Sequence, residues 1–171
     1  PDGTNYAVGG YRTDQILDSL IGTSTVDAGG GLTRSRPGYL VQNPQVDPNG
    51  LYYLNGGAND IFQLQARPTT MAVTAANMVQ AVGALQNAGA RLPDVGNTPL
   101  GTQLGTSAFL NSLSDSFNAE LAAGLQAQGG NYVLLNNRLL LSEVRADLAR
   151  YGFDPTINQT AVCFDGGNCP L

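Results

Sequence analysis

Histidine is absent from the 171 residues of this chain, and so are lysine and tryptophan. Histidine is the side chain that most often serves as a general base near neutral pH, so no Ser-His-Asp triad can be drawn within these residues. The eight basic residues are all arginines, they are scattered, and the net charge is -5. Nucleic-acid binding needs clustered basic residues that contact phosphates, so the composition argues against a nucleic-acid partner.

Charged residues are few, and long apolar runs are missing. Only 12% of the residues are charged, against about 25% in an average soluble domain, so the surface is built mainly from neutral polar side chains. This composition favours a secreted bacterial protein. No apolar run approaches the roughly 18 residues of a membrane helix. The chain opens with Pro1-Asp2-Gly3 and shows no signal peptide. A secreted protein that has been processed, or a fragment, would also lack one.

The chain has two cysteines, Cys163 and Cys169. Residues 165–168 between them form the turn-favouring run Asp-Gly-Gly-Asn, which would bring the two sulfur atoms within bonding distance. We expect a small disulfide loop, which would indicate an oxidising compartment; two unrelated free thiols are the alternative. A tight zinc site needs four ligands, and the chain has no histidine and no further cysteine to complete one. We therefore expect no metal, and we expect no other cofactor.

The hydrophobic pattern predicts short strands that alternate with helices. Strands are expected at 5–8, 51–54 and 132–135, and loops at 23–50, 93–105 and from 154 onward. Apolar residues at helical spacing predict a helix capped by Thr13 or Asp14 and stopped at Gly22, and further helices over 69–88, from 110 to a Gly129-Gly130 terminator, and over 142–151. The predicted core positions of the two long helices are Met71, Ala75, Met78, Val82, Leu85, Leu110, Leu113, Phe117, Leu121 and Leu125.

This alternation predicts the fold class. Strands that alternate with helices favour a mostly parallel sheet covered on both faces, so we expect an α/β fold of the three-layer α/β/α sandwich type. No linker or internal repeat divides residues 1–171, and we expect a single domain.

Two short Gly-rich segments carry the functional signal. Asn-Tyr-Ala-Val-Gly-Gly at 5–10 ends a predicted strand, and Asn-Gly-Gly-Ala-Asn-Asp at 55–60 follows another; ligands of open α/β sheets bind at such strand ends. Glycine lets backbone N–H groups approach a ligand closely, and an Asn amide is a further donor. Donors of this kind stabilise the oxyanion of acyl transfer. The turn at Gly9-Gly10 and the turn at Gly56-Gly57-Ala58-Asn59 are therefore candidate oxyanion sites, with two ordinary strand-end turns as the alternative.

The order, spacing and flanks of the two segments resemble the second and third sequence blocks of the SGNH, or GDSL, family of ester hydrolases. The pattern is Asn-x-Ala-x-Gly-Gly-x-x-Thr before a helix, followed by Tyr-Tyr-Leu-x-Gly-Gly-x-Asn-Asp. The resemblance runs over nearly the whole chain and is strongest to the passenger domain of bacterial autotransporter esterases. The supporting segments are 11–16, 35–41, 47–49, 92–96 and 117–121.

The resemblance implies a serine esterase or lipase that acts on a small-molecule or lipid ester through an acyl-enzyme. It implies that Gly10 donates its backbone N–H and Asn59 its side-chain amide to the oxyanion, while Asp60 anchors the turn. It also implies a secreted or cell-surface location on the bacterial outer membrane, facing outward, with a C-terminal outer-membrane β-barrel in the full-length protein.

The resemblance also has departures. The nucleophile block Gly-Asp-Ser-Leu would lie before Asn5, and the Asp-x-x-His block would lie beyond Leu171. Asp18-Ser19-Leu20 lacks the glycine and falls inside a predicted helix, so we interpret Ser19 as helix surface; the serines of 112–116 are likewise mid-helix. Family members have a buried apolar strand before the Leu-Pro-Asp turn, whereas here Leu92 directly follows Arg91. Either that central strand is lost in this protein, or its residues are missing from the sequence.

These departures lead us to expect a partial SGNH-hydrolase-like domain of a longer esterase. By itself the chain should have no esterase activity, because loss of the nucleophile and base costs roughly 10⁶-fold in rate. A non-catalytic surface or adhesion module that kept the fold, or an inactive fragment, is the alternative. A nucleotide-binding domain is disfavoured, because Val8-Gly9-Gly10-Tyr11 is not a dinucleotide fingerprint and no Walker-type Gly-Lys-Ser or Gly-Lys-Thr occurs.

Overall fold

The computed structural model describes residues 5–25, 34–96 and 108–156. These residues form an α/β fold with a small open parallel sheet of three strands and six α-helices. The elements in chain order are α1 (Thr13–Ile21), α2 (Tyr39–Gln42), β1 (Tyr53–Asn55), α3 (Ala58–Phe62), α4 (Met71–Asn87), β2 (Asp94–Gly96), α5 (Ala108–Gln128), β3 (Val133–Leu135), α6 (Asn137–Ala146) and a 3-10 turn at Ala149–Tyr151.

The sheet has the strand order β1-β2-β3, and both pairs are parallel. Tyr53 lies opposite Asp94, which in turn lies opposite Val133. Parallel neighbours need a crossover connection, and the long helices α4 and α5 lie within these connections. The α/β class and the parallel sheet are confirmed, as are the strands expected near 51–54 and 132–135.

The core forms where α4 packs between α1 and α5. All five predicted core positions of α4 are buried, as are Phe117, Leu121 and Leu125 of α5, while Leu110 and Leu113 pack half-buried against them. Leu54 of β1 and Val95 of β2 belong to the same cluster. The helical spacing of apolar residues therefore identified the core faces of both long helices correctly.

The start of the chain differs from the prediction. Residues 5–8 are not a strand, because their backbone bonds to side chains instead of to a neighbouring strand. The N–H of Ala7 donates to Oδ1 of Asn5 at 2.8 Å, and the Arg36 guanidinium donates to the carbonyl of Asn5. Local bonds of this type compete with sheet formation.

Helix α1 begins at Thr13, which is earlier than either of the expected caps, Thr13 or Asp14, would allow. Its N-cap is Arg12, whose N–H donates to Oε1 of Gln15 at 3.0 Å. Thr13 is not free to cap the helix, since its hydroxyl donates to Asp60 instead. The predicted stop at Gly22 is confirmed. The predicted end of α5 before Gly129-Gly130 is also confirmed, and Gly129 and Gly130 both have positive φ.

Three further predictions of local structure are corrected. The predicted loop 93–105 contains β2, because the N–H of Asp94 donates to the Tyr52 carbonyl at 2.7 Å; a strand therefore does follow Leu92 closely. The predicted loop 23–50 contains the short helix α2. The predicted helix over 142–151 is divided at Asp147 into α6, which begins earlier at an Asn136 cap, and the 3-10 turn.

Several predictions lie outside the described residues. These are the Cys163–Cys169 disulfide, the remainder of the 93–105 loop after Gly96, and the tail from 157 onward. Among the residues that are described, none of the helices combines the length and the apolar character needed to cross a membrane.

Gly57 generates a prediction, because it joins β1 to α3 where the chain passes against Phe117 of α5. Its φ is +103°, and a Cβ built there would lie 2.7 Å from Cζ of buried Phe117. Gly57→Ala therefore combines positive-φ strain with overpacking against the ring, and should lower the free energy of unfolding by about 2–5 kcal/mol. Urea unfolding measures this change.

The matched control is Gly129→Ala. Gly129 also has a positive φ of +74°, but a Cβ there would meet nothing within 4 Å. This variant carries only the backbone strain, so its cost should be about 1–2 kcal/mol. Equal costs for the two variants would show that the approach of Phe117 to Gly57 is not a packing constraint.

Candidate functional site

A cavity of about 280 Å³ lies between residues 6–11 and the segment that runs from β1 into α3. Both predicted donors, Gly10 and Asn59, line it. The structure thus brings together two residues that are 49 positions apart in the sequence. The complete lining is Tyr6, Ala7, Val8, Gly9, Gly10, Tyr11, Ile16, Ser19, Leu20, Tyr53, Leu54, Asn55, Gly56, Ala58 and Asn59.

Gly10 lies in a tight turn that leaves its N–H available. The N–H of Tyr11 donates to the Val8 carbonyl at 3.3 Å, which closes the turn, and Gly10 has a φ of +85°, a conformation that favours glycine. Its carbonyl accepts from Nε2 of Gln63 at 3.3 Å. Within the described part of the chain, the Gly10 N–H donates to no acceptor, so it can serve a bound oxygen atom.

Asn59 lies in the first turn of α3, and a hydrogen bond to the opposite wall of the cavity holds its side chain in place. Its Nδ2 donates to the Tyr11 carbonyl at 2.9 Å. A side-chain amide carries two N–H groups, so one bond to Tyr11 fixes the amide while the second N–H can donate elsewhere. The side chain is half-buried, and its orientation is therefore set by the same turn that contains Gly10.

Asp60 does not line the cavity; it ties the two segments together. Its Oδ2 accepts from the Thr13 N–H at 3.0 Å, and its Oδ1 accepts from the Thr13 hydroxyl at 2.8 Å. Nδ2 of Asn77 on α4 donates to the same hydroxyl oxygen at 3.1 Å. The carboxylate, which is 3% exposed, therefore joins the beginning of α1 to α3 over a separation of 47 residues. This arrangement agrees with an anchoring role for Asp60.

Burial dominates the electrostatics of Asp60. Removal from water raises the pKa of its carboxyl above the ordinary value, the two hydrogen bonds from Thr13 act in the opposite direction, and the nearby charge of Asp14 raises the pKa further. Across residues 5–25, 34–96 and 108–156, no cluster of three or more acidic or cysteine side chains is arranged to hold a metal ion.

A second pair of polar contacts reinforces the Asp60 connection. Nη1 of buried Arg12 donates to Oε1 of Gln63 at 3.1 Å, and its Nη2 forms an ion pair with Asp14 at 2.8 Å. Gln63 thus bonds at once to Arg12 and to the carbonyl of Gly10. Neither Arg12 nor Gln63 was singled out from the sequence, because long-range polar pairs leave no periodic signal.

Ser19 requires a correction, since it is not helix surface. It is 5% exposed, lines the cavity, and donates its hydroxyl to the Ile16 carbonyl at 2.7 Å. The signal was available: Ser19 is three residues after Ile16 and adjacent to Leu20, on the apolar face of α1. The serines at 112–116 do lie within α5, as predicted, and none of them lines the cavity. Asn55, at the end of β1, also lines the cavity, although the sequence analysis assigned it no role.

No protein-family model matches the chain. The chain is similar to two proteins named Esterase EstA, from Pseudomonas aeruginosa and Pseudomonas putida, at 43% identity over 183 residues that cover 99% of this chain. It is also similar to an uncharacterized protein of Pseudomonas putida in the trpE-trpG intergenic region, at 38% identity over 182 residues and 99% of this chain.

The chain spans less than a third of the length of these relatives, 28% of each esterase and 31% of the third protein. The alignments extend over more positions than the 171 residues of the chain. The relatives therefore contain residues within the matched region that have no counterpart here.

The Asp60–Thr13 contact predicts a stability difference between two variants of Thr13. Thr13→Val keeps the shape but leaves Oδ1 of Asp60 without its hydroxyl donor in a buried place, so the free energy of unfolding should fall by about 1–3 kcal/mol. Thr13→Ser keeps the hydroxyl and should cost less than about 1 kcal/mol. Urea unfolding of both variants gives the comparison; equal losses would mean that the hydroxyl contributes nothing.

The raised pKa of Asp60 predicts the sign of a pH dependence. At low pH the carboxyl is protonated in both states; as pH rises past about 3.9 the unfolded chain ionises first, so the folded protein holds the extra proton and loses stability until pH exceeds the folded pKa. The difference in free energy of unfolding between wild type and Asp60→Asn should therefore decrease as pH rises above about 4.

The measurement is a series of urea unfolding curves for both proteins between about pH 3 and 7. Each unit by which the folded pKa exceeds the unfolded one corresponds to about 1.4 kcal/mol. A difference that grows with pH would contradict the account, because it would mean that the Thr13 hydrogen bonds outweigh burial.

Proposed function

We propose that this chain is part of a carboxylic ester hydrolase, and that the backbone N–H of Gly10 and the side-chain amide of Asn59 bind the oxyanion of its tetrahedral intermediate. The observation that carries the proposal is that both donors line one cavity, each with an N–H available. The similarity to two proteins named Esterase EstA supports the same chemistry.

The arrangement suits acyl transfer because its donors are fixed before the substrate arrives. Gly10 is held by a closed turn, and Asn59 is held by its bond to Tyr11. Donors that need no reorganisation stabilise developing negative charge most effectively, since the polar groups are already oriented when the charge forms. A substrate carbonyl in this cavity would meet one backbone donor and one side-chain donor from opposite walls.

The chain contains no histidine, so the base has to come from outside these 171 residues, and we propose that the nucleophile does too. We propose the finer assignment to the SGNH, or GDSL, class, in which a serine attacks the ester carbonyl and a histidine oriented by an aspartate takes the serine proton. The ester C–O bond breaks, the alcohol leaves with that proton, and water then hydrolyses the acyl-enzyme to release the acid and restore the serine. Among the described strands, β1 lies at the edge of the sheet and beside the cavity. A further strand paired with that edge could present the serine to Gly10 and Asn59.

The whole protein is proposed to be longer than this chain and to work at the bacterial cell surface on small-molecule or lipid esters. The low charged fraction of this chain, 12%, and the greater length of its relatives support this view. The 171-residue polypeptide by itself is proposed to be inactive, because it contains no histidine. A non-catalytic surface module is the second candidate, and the absence of histidine favours it.

Asn59→Ala in the natural protein tests the oxyanion role. Loss of one such donor should lower kcat roughly 10²–10³-fold with a much smaller change in KM, measured on a short-chain p-nitrophenyl ester. Asn87→Ala, the same change at an exposed site at the end of α4, is the matched control and should keep wild-type kinetics. A wild-type kcat for Asn59→Ala would contradict the proposal.

A covalent phosphonate probe separates the two candidate functions. A natural protein of mass well above 17.8 kDa that gains one probe adduct would support the serine esterase. A protein that gains no adduct and cleaves no ester would favour the non-catalytic module, as would retention of the fold without activity.

A further inference from the structure

A second cavity of about 160 Å³ adjoins the first. The two cavities share part of their walls, formed by Tyr6, Ala7, Val8 and Ser19. The second cavity is completed by Arg34, Ser35 and Arg36. Its lining contains two guanidinium groups and no carboxylate, in a chain whose net charge is -5.

Arg34 is buried with part of its hydrogen-bonding capacity unused. Its side chain is 4% exposed, its Nη2 forms an ion pair with Asp18 at 2.7 Å, and the same nitrogen donates to the Ser24 carbonyl at 2.7 Å. Its Nε and Nη1 have no hydrogen-bond partner among the residues that the structure describes. A buried donor without an acceptor is unfavourable, so a ligand oxygen that reached either of these nitrogens, which lie on different edges of the guanidinium, would satisfy it.

Arg36 supplies the second positive charge and is held in place by the cavity wall. Its Cζ lies 3.5 Å from the centroid of the Tyr6 ring, a cation–π contact, and its Nη2 donates to the Asn5 carbonyl. Asp18 offsets the charge of Arg34, but no acidic residue of the cavity lining offsets that of Arg36. The cavity is therefore a fixed, positively charged site directly beside the proposed oxyanion site.

We propose that this second cavity binds an anionic group, a carboxylate or a phosphate, carried by the ester substrate. The proposal rests on the proposed esterase function, because it places the anion on the molecule whose carbonyl lies at Gly10 and Asn59. Guanidinium groups bind carboxylates and phosphates through charge-assisted N–H donors, and Arg34 and Arg36 bring two such groups to a cavity whose lining contains no carboxylate. The substrate class is then an ester that bears a negative charge close to its cleaved bond.

The experiment compares matched substrates in the natural protein. One pair of p-nitrophenyl esters has acyl chains of equal length that end in a methyl group or a carboxylate; a second pair of butyrate esters has a phenol leaving group with or without a carboxylate. The measured quantity is the ratio of kcat/KM for the anionic ester to that for the neutral ester in each pair.

Arg36→Gln should lower this ratio roughly tenfold or more for at least one pair, because a charge-assisted contact to the anion is lost. Arg91→Gln, at an exposed arginine outside both cavities, is the matched control and should keep the wild-type ratio. Arg34→Lys keeps a positive charge beside Asp18 but removes the guanidinium fork, and should also lower the ratio. Thermal unfolding of each variant checks that the fold is retained.

A direct binding measurement separates failure of this inference from failure of the esterase proposal. Inorganic phosphate should bind wild-type protein in calorimetric titration and bind Arg36→Gln at least several-fold more weakly. If no ester is cleaved, the proposed function fails, whatever phosphate does. If neutral esters are cleaved but Arg36→Gln changes neither ratio, the anionic subsite is overturned, and this holds even if free phosphate binds.

Discussion

The contact between the buried Asp60 carboxylate and Thr13 is the constraint on which the rest of the site depends. Two oxygens of one side chain accept from the N–H and the hydroxyl of one residue, at 3.0 and 2.8 Å. The contact fixes the beginning of α1 against the beginning of α3. Gly10 lies three residues before Thr13, and Asn59 lies one residue before Asp60. Once Asp60 and Thr13 are joined, the two candidate donors have little freedom to lie anywhere except on opposite walls of one cavity.

The Thr13 hydrogen bonds offset only part of the cost of burying this carboxylate, and the apolar packing around it explains why the chain tolerates the rest. Burial raises the Asp60 pKa, so ionisation is less favourable there than in water despite the Thr13 hydrogen bonds. The surrounding helices α1, α4 and α5 supply an apolar core that includes Met78, Phe117 and Leu121, whose burial favours folding by roughly 1.5–3 kcal/mol for each large side chain. Gly57 lets α3 approach Phe117 closely. Apolar packing thus positions the segment, and the polar contacts give it one orientation.

Part of this arrangement could be predicted from the sequence, and the division has physical reasons. The core faces of α4 and α5 follow a helical period, so Met78 and Phe117 could be assigned from spacing alone. The meeting of Gly10 and Asn59 was expected from a family resemblance, because nothing local reports a contact across 49 positions. The start of α1 at Arg12, the strand at Asp94–Gly96 and the irregular path of residues 5–8 were missed. At the start of α1 and at Asp94 a tertiary bond outweighed the local preference that the prediction relied on. At residues 5–8 the local bond from Ala7 to the Asn5 side chain competed with strand formation. Ser19 was assigned to the wrong face of α1. Its position in the helix, beside Leu20, decides its burial, and its polarity does not.

The most direct test of the central claim is a crystal structure of the natural protein with a phosphonate bound covalently to its nucleophile. The phosphonyl oxygen stands in for the oxyanion of the tetrahedral intermediate. The account predicts that this oxygen lies about 2.7–3.1 Å from both the backbone nitrogen of Gly10 and Nδ2 of Asn59, with the Asp60–Thr13 bonds intact. An oxygen held by other donors, with Gly10 and Asn59 turned away from it, would contradict the account.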